Sequence, residues 1–209
     1  TNVGQAHIGI LGSRENIAKA KSEITTYLRP DGVVIIPFGD NLLENALREK
    51  WSGRIIRVAI KDFSFNWLGC DDYVAIKDVE PDYISQINMQ NNLISFKGIE
   101  FKLPLEGKHN AMNFMMALTA VTELGLSIKN LDKLNFKMPI GSNRLLQGSQ
   151  FLILDETYNA SPESVIASLE LLVSKPGRHF AVLGTMLELG SESRSLHQKV
   201  LQRAVDLGL

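Results

Sequence analysis

Several short stretches combine residue types and spacings that can do chemistry. Lys21 lies four residues after Ile17 and three before Ile24, so on a helix it shares their apolar stripe, while Lys19 faces the other way. A desolvated lysine gives up its charge readily, and its neutral amine can serve as a base or accept a covalent modification. A lysine whose stem packs while its head reaches water has the same spacing. His7, in Thr1-Asn2-Val3-Gly4-Gln5-Ala6-His7, follows what reads as the tail of a strand, at the carboxyl edge of a parallel sheet where loops hold ligands. It is either a ligand or an ordinary hydrogen-bonded loop histidine, and no second histidine stands at a ligand-pair spacing. Asn110 and Asn113 share one helix face and can offer amide donors and carbonyl acceptors to the edge of a planar heterocycle, unless Asn110 only caps the helix and Asn113 is solvated. Asp155-Glu156-Thr157-Tyr158-Asn159 sets two acids, a phenol and an amide between a short apolar strand and a helix start, a ligand-holding position in open α/β sheets or else a solvated turn. Arg144 lies in a presumed linker, where an arginine can clamp a phosphate between domains or simply be exposed.

The elements that must position these groups are legible as alternating periods. Ser13 is a candidate N-cap for a helix through Ile17, Ala20, Ile24 and Leu28, stopped by Arg29-Pro30-Asp31-Gly32. The strand Val33-Val34-Ile35-Ile36 follows, then a helix over 40–50 and a strand over 54–60, the alternation of an α/β layer. Residues 71–105 read instead as short strands and turns, including Tyr73-Val74-Ala75-Ile76 and Leu93-Ile94-Ser95-Phe96. A helix over 109–124 ends at Gly125, and a shorter helical piece leads to the linker Met138-Pro139-Ile140-Gly141-Ser142-Asn143. Beyond it a second βαβα unit is predicted. Its parts are the strand Phe151-Leu152-Ile153-Leu154, a helix from Ser161-Pro162, the strand Phe180-Ala181-Val182-Leu183 and a helix ending near Leu207. Two parallel strands with two helices cannot cover a sheet, so further strands are expected after Leu209, and the chain is expected to begin inside a domain.

Composition bounds the function. With 44% hydrophobic and 22% charged residues and a formal net charge of −1, the chain has an ordinary globular balance and no bulk field for nucleic acid or an anionic membrane. No apolar stretch approaches the ~20 residues of a membrane span, and the polar start is not a signal peptide. Cys70 is the only cysteine, which excludes an internal disulfide or a thiolate zinc cluster and fits a reducing cytoplasm.

Taken together the segments resemble the ATP-dependent Mur ligases, and among them the branch that joins D-alanyl-D-alanine to a UDP-N-acetylmuramoyl-tripeptide in peptidoglycan precursor synthesis. The stretches that carry the resemblance are residues 1–9, Ala20-Lys21-Ser22-Glu23-Ile24, Gly107-Lys108-His109-Asn110-Ala111-Met112-Asn113, Asp155-Glu156-Thr157-Tyr158-Asn159-Ala160, and Leu183-Gly184-Thr185-Met186-Leu187-Glu188-Leu189-Gly190 with His197. The resemblance implies an α/β fold in two parts. One is a portion of a central ATP-binding domain over 1–141, mainly parallel sheet with helices plus a small β portion; the other is the first half of a Rossmann-like C-terminal ligase domain over 142–209. It implies ATP and Mg2+ as cofactors, with His7 and a carbamylated Lys21 as catalytic groups on the metal and Asn110 and Asn113 on adenine. Arg144 would meet the γ-phosphate, Asp155 and Glu156 the ribose and incoming substrate, and Tyr158 and Asn159 the substrate side. A carbamate would exchange an ammonium for an oxygen ligand suited to a hard cation. Glu156 stands where a second Asp is usual, and Thr185 where Asp commonly precedes Met-x-Glu-Leu-Gly. No Gly-Thr-Asn-Gly-Lys-Thr phosphate loop occurs in the sequence. Such a loop, with its converging backbone N–H groups, is expected upstream of Thr1, and the fragment alone is expected to be inactive. The alternatives are another Mur-type or folylpolyglutamate-synthase-like amide ligase, or a non-catalytic nucleotide-binding module.

Overall fold

Three helix starts are written by side chains that accept backbone N–H groups the helix leaves unpaired. A computed structural model describes residues 2–61, 79–129, 131 and 139–209, and in it all three are made. Ser13 Oγ accepts from Asn16 N at 3.2 Å to open α2 (Arg14–Ser22), which follows the one-turn helix α1 (Ile8–Leu11). Asp40 Oδ1 accepts from Leu43 N at 3.1 Å to open α3 (Asn41–Arg48). Ser161 and Ser164 bond reciprocally in a capping box at the start of α5 (Pro162–Val173), with Pro162 in the first turn.

By its contacts the chain divides into two compact units, Thr1–Gly4 with Ser13–Leu134, and Gln5–Gly12 with Asn135–Leu209. The first unit is built on a five-stranded sheet in the order β1-β2-β3-β4-β5: β1 (Val33–Pro37), β2 (Arg54–Ile60), β3 (Tyr83–Asn88), β4 (Leu93–Phe96) and β5 (Ile99–Lys102). The first two pairings are parallel and the last two antiparallel. Lys97 and Gly98, both at positive φ, make the two-residue turn between β4 and β5, so Phe96 pairs directly with Ile99. The sheet buries Ile56, Val58, Ile94 and Phe101 against Ala111, Met112, Met115 and Leu118 of α4 (Lys108–Glu123). The expected strand at 73–76, Cys70, and most of the helical piece before Met138 lie outside the described residues.

Two buried carboxylates fasten α3 within this unit. Glu44 receives Arg57 of β2 at 2.6 Å and Arg48, one turn on, at 2.8 Å. Asp40, besides capping α3, accepts the buried Val3 N–H through Oδ2 at 2.7 Å. Val3 is therefore held by a side chain, and the strand tail expected at the start carries no sheet ladder among the described residues.

The second unit departs from the predicted parallel βαβα pattern. β7 (Leu152–Asp155) pairs antiparallel with β6 (Arg144–Gln147), a strand not expected from the sequence that begins at the Arg144 placed in the linker, with Arg144 opposite Asp155. The strand expected at 180–183 is not formed: Phe180 is 75% exposed and Val182 fully so. Apolar, β-branched character makes a strand only where a neighbouring ladder accepts its N–H and C=O groups, and no described strand lies beside these residues. Helices α5 and α6 (Ser193–Asp206) pack together, with Ile166, Leu169, Leu196 and Val200 buried.

Candidate functional site

In the second unit, the chain leaving β7 folds into a set of local hydrogen bonds before α5 begins. Asp155 Oδ1 accepts from the backbone N–H and hydroxyl of Thr157, at 3.2 and 2.7 Å. Glu156 serves a different partner, accepting the Asn143 N–H through Oε2 at 3.0 Å. Tyr158 N donates to Gly141 O at 2.7 Å, which seats the 141–144 segment along 156–158. Gly141 sits at φ +80°, and a Cβ there would stand 2.7 Å from Thr157 Oγ1 and 2.8 Å from Tyr158 N, so only glycine permits this approach. Arg144, Asp155, Glu156 and Tyr158 are thereby gathered at the strand-to-helix junction, with Arg144 and Tyr158 exposed. Asn159 is spent locally, its Oδ1 accepting from Ala160 N at 2.9 Å. Burial pushes the Glu156 carboxyl above its ordinary value, and the neighbouring Asp155 charge adds to this, while the Asn143 N–H opposes it. The side-chain amide nitrogen of Asn143, the residue whose backbone N–H meets Glu156, is buried without a hydrogen-bond partner among the described residues.

His7 lies in the same unit, on a segment held at three points. Gln5 N donates to Glu163 Oε1 of α5 at 2.7 Å, Gly9 N donates to Glu188 O at 2.8 Å, and His7 Nδ1 pairs with the Glu188 carboxylate. The approach is close enough that a Cβ on Gly9 would stand 2.3 Å from Gly190 N. Glu188 was absent from the sequence-based candidates. Its only advance signal was its place in the Met186-Leu187-Glu188-Leu189-Gly190 stretch, since 181 residues separate it from His7. His197, from the same motif, has a positional role: Nε2 accepts the Met186 N–H at 3.0 Å while Nδ1 donates to Ser193 O at 2.6 Å, which pins the loop before Glu188.

The first unit holds Lys21, Asn110 and Asn113. Lys21 is exposed, which corrects the expected apolar placement. The buried stripe of α2 runs through Ile17, Ala18 and Ser22, and from Glu23 the helix tightens into a 3₁₀ turn (Glu23–Tyr27). Ile24 lies in that turn, past the end of α2, and is 78% exposed, so it does not mark the core face that Lys21 was to share. Asn110 is half-buried and donates through Nδ2 to Glu106 O at 2.7 Å, leaving its carbonyl oxygen to spare, while Asn113 is exposed one turn on. Burial holds the neighbouring His109 below its ordinary imidazole value. Among the described residues no three His, Cys, Asp or Glu side chains are gathered closely enough to cage a metal.

Residues 1–121, more than half of the chain, match the Mur ligase middle domain. The chain belongs to the Mur ligase family. Over its whole length this Mur ligase chain is 35% identical to the UDP-N-acetylmuramoyl-tripeptide–D-alanyl-D-alanine ligase of Synechocystis, of which it covers 42%. Over 95% of its length it is 33% identical to the Bacillus subtilis ligase of the same name, covering 41% of it. The crystal structure of MurF from Acinetobacter baumannii superposes on all of the chain with a TM-score of 0.78 at 26% identity, 44% of that structure being covered. A MurF ligase from Thermotoga maritima, solved in complex with ADP, shares the fold over 97% of the chain with a TM-score of 0.75 at 24% identity. The chain thus spans less than half the length of these relatives. Its middle-domain match includes Gln5–Gly12, the segment that packs in the second unit.

Proposed function

We propose that the protein carrying this chain is an ATP-dependent carboxylate–amine ligase of peptidoglycan precursor synthesis, acting in the cytoplasm. In this reading it joins D-alanyl-D-alanine to a UDP-N-acetylmuramoyl-tripeptide. The observation that carries the reading is the 35% identity, spanning the whole chain, to a ligase of that name. Residues 1–141 are read as part of the central ATP-binding domain and 142–209 as part of the C-terminal ligase domain.

The roles proposed for individual residues are those the family resemblance implies, and side-chain chemistry and exposure support them. Asn110, with a spare carbonyl oxygen, and Asn113, exposed on the same face of α4, receive the adenine edge. Arg144, exposed at the start of β6, offers a guanidinium to the γ-phosphate, the group best suited to planar, bidentate recognition of phosphate. Asp155 and Glu156 face the ribose and the incoming amine, and Tyr158 the substrate side. In this reading a substrate carboxylate takes the γ-phosphoryl group as an acyl phosphate, the dipeptide amine then displaces phosphate to form the amide, and the protein's contribution is largely positioning.

A carbamylated Lys21 would supply the oxygen donor that a hard divalent cation prefers, in addition to the His7 imidazole. Mg2+ keeps several waters and shares substrate phosphates, so it does not require a three-residue protein cage. His7, with Nδ1 engaged by Glu188 and more than half of its side chain exposed, and Lys21, whose exposed amine is open to carbamylation, are the groups that would hold it. When bound, the cation neutralises charge on the transferring phosphoryl group.

The test is ADP and phosphate release by the full-length protein with UDP-N-acetylmuramoyl-tripeptide and a panel of amines. Turnover is expected with D-alanyl-D-alanine; turnover only with another amino acid or with glutamate overturns the assignment. Arg144→Ala is expected to lower turnover at least ~100-fold, as for loss of a group that stabilises transition-state charge. Being exposed, it should shift stability by no more than about 0.5 kcal/mol. Unchanged turnover removes Arg144 from the site.

A further inference from the structure

Left-handed backbone at a residue other than glycine is strained and persists where its surroundings require it. Two such residues face each other in the second unit, His7 at φ 64° and Glu188 at φ 62°. Histidine is among the types enriched in this conformation; glutamate is not, and glycine or asparagine would be the less strained choice at 188 if only the backbone path mattered. The path is independently secured by the Gly9 N–H bond to Glu188 O and by the close approach of Gly9 to Gly190. The Glu188 side chain does something the backbone does not need, and its partner is His7 Nδ1.

We propose that Glu188 is a positioning residue that selects the tautomer of His7, holding the proton on Nδ1 so that Nε2 presents its lone pair outward. An imidazole with one nitrogen hydrogen-bonded to a carboxylate has a fixed ring orientation and a more basic second nitrogen, the arrangement that orients metal-ligating histidines. The His7 side chain is 58% exposed, and the structure gives Nε2 no partner among the described residues. The proposal rests on the reading of His7 as a holder of the divalent cation, and adds that the capacity depends on a carboxylate 181 residues away. Because His7 falls in the middle-domain match and Glu188 beyond it, the C-terminal part of the chain sets the chemistry of a middle-domain ligand.

Two measurements on the full-length protein test this. Nitrogen-15 NMR of the neutral imidazoles should find His7 protonated at Nδ1 in the wild type and in Glu188→Gln, whose amide oxygen still accepts that proton. Glu188→Ala should shift His7 to the Nε2–H form. Protonation at Nε2 in the wild type, or no shift in Glu188→Ala, overturns the proposal. Mn2+ binding should weaken roughly 10–100-fold in Glu188→Ala, the loss typical when an outer partner of a ligating histidine is removed, and should weaken at least as much in His7→Ala. Weakening in His7→Ala without weakening in Glu188→Ala rejects Glu188 while leaving His7 as ligand. Unchanged binding in His7→Ala rejects the metal-holding reading itself.

Discussion

Replacing Asp40 by alanine removes two hydrogen bonds at once, and their cost can be worked from the geometry. Oδ1 caps α3 through the Leu43 N–H at 3.1 Å; losing such a cap costs about 1 kcal/mol. Oδ2 is the acceptor for the Val3 N–H at 2.7 Å, and both residues are buried, so the orphaned donor adds about 1–3 kcal/mol. Asp40→Ala should therefore destabilise by about 2–4 kcal/mol, a large share of the ~5–15 kcal/mol that holds a domain folded. Asp40→Asn separates the two parts. Asparagine caps a helix as well as aspartate does, but it has one oxygen, so its NH2 group is left facing the second N–H. Urea midpoints followed by circular dichroism should fall in the order wild type, Asp40→Asn, Asp40→Ala. Amide hydrogen exchange should show Val3 losing protection in both variants and Leu43 only in the alanine variant. A loss below about 1 kcal/mol for Asp40→Ala, or a Val3 amide as protected as before, would refute the reasoning.

Arg57→Met should strand the buried Glu44 carboxylate and cost about 3 kcal/mol, the low end for a broken buried pair, because Arg48 remains. Burial by itself raises the Glu44 pKa, but the hydrogen bonds from Arg57 and Arg48 outweigh it and hold the carboxyl below its ordinary value of 4.5. The stabilisation is therefore complete above 4.5 and lost as pH falls through the lower folded value. The urea-midpoint gap between wild type and Arg57→Met should close as pH drops toward 4.5 and below, and a gap constant with pH would count against the ion pair. Glu156 has the opposite sign: its folded value is raised, first by burial, so stability declines as pH rises from 4.5 through that value. Glu156→Gln should abolish this decline and be at least as stable as wild type at pH 7 while losing ligase turnover. A clear loss of stability at pH 7 would contradict this.

What could be read in advance was what neighbouring residues decide between themselves. Ser13, Asp40 and Ser161-Pro162 start their helices where the sequence places them, because capping is settled within three residues. The apolar runs before Pro37 and Ile60 are strands as read, each covered within the first unit. Lys21 was misplaced because the stripe was drawn through Ile17 and Ile24, whereas α2 buries Ile17, Ala18 and Ser22 and ends before Ile24, which is exposed. Residues 180–183 and the antiparallel partner of β7 were misread for another reason: strand character is local, but pairing depends on what lies alongside. Arg144, Asp155 and Glu156 could be nominated from sequence, whereas the Asn143 and Gly141 backbone that brings them together could not. Glu188 was invisible as a partner of His7 because no spacing rule spans 181 residues.

The segment Gln5–Gly12 belongs to a unit whose remainder begins more than a hundred residues later in the chain. Contacts between such distant stretches form only after the entropy of closing the intervening loop has been met, so the docking of this peptide should be a late event in folding, and substitutions at Gly9 should speed unfolding more than they slow folding. A recombinant piece starting near Pro139 would lack one of its own parts, and a synthetic peptide covering residues 5–12 is the natural means of complementing it.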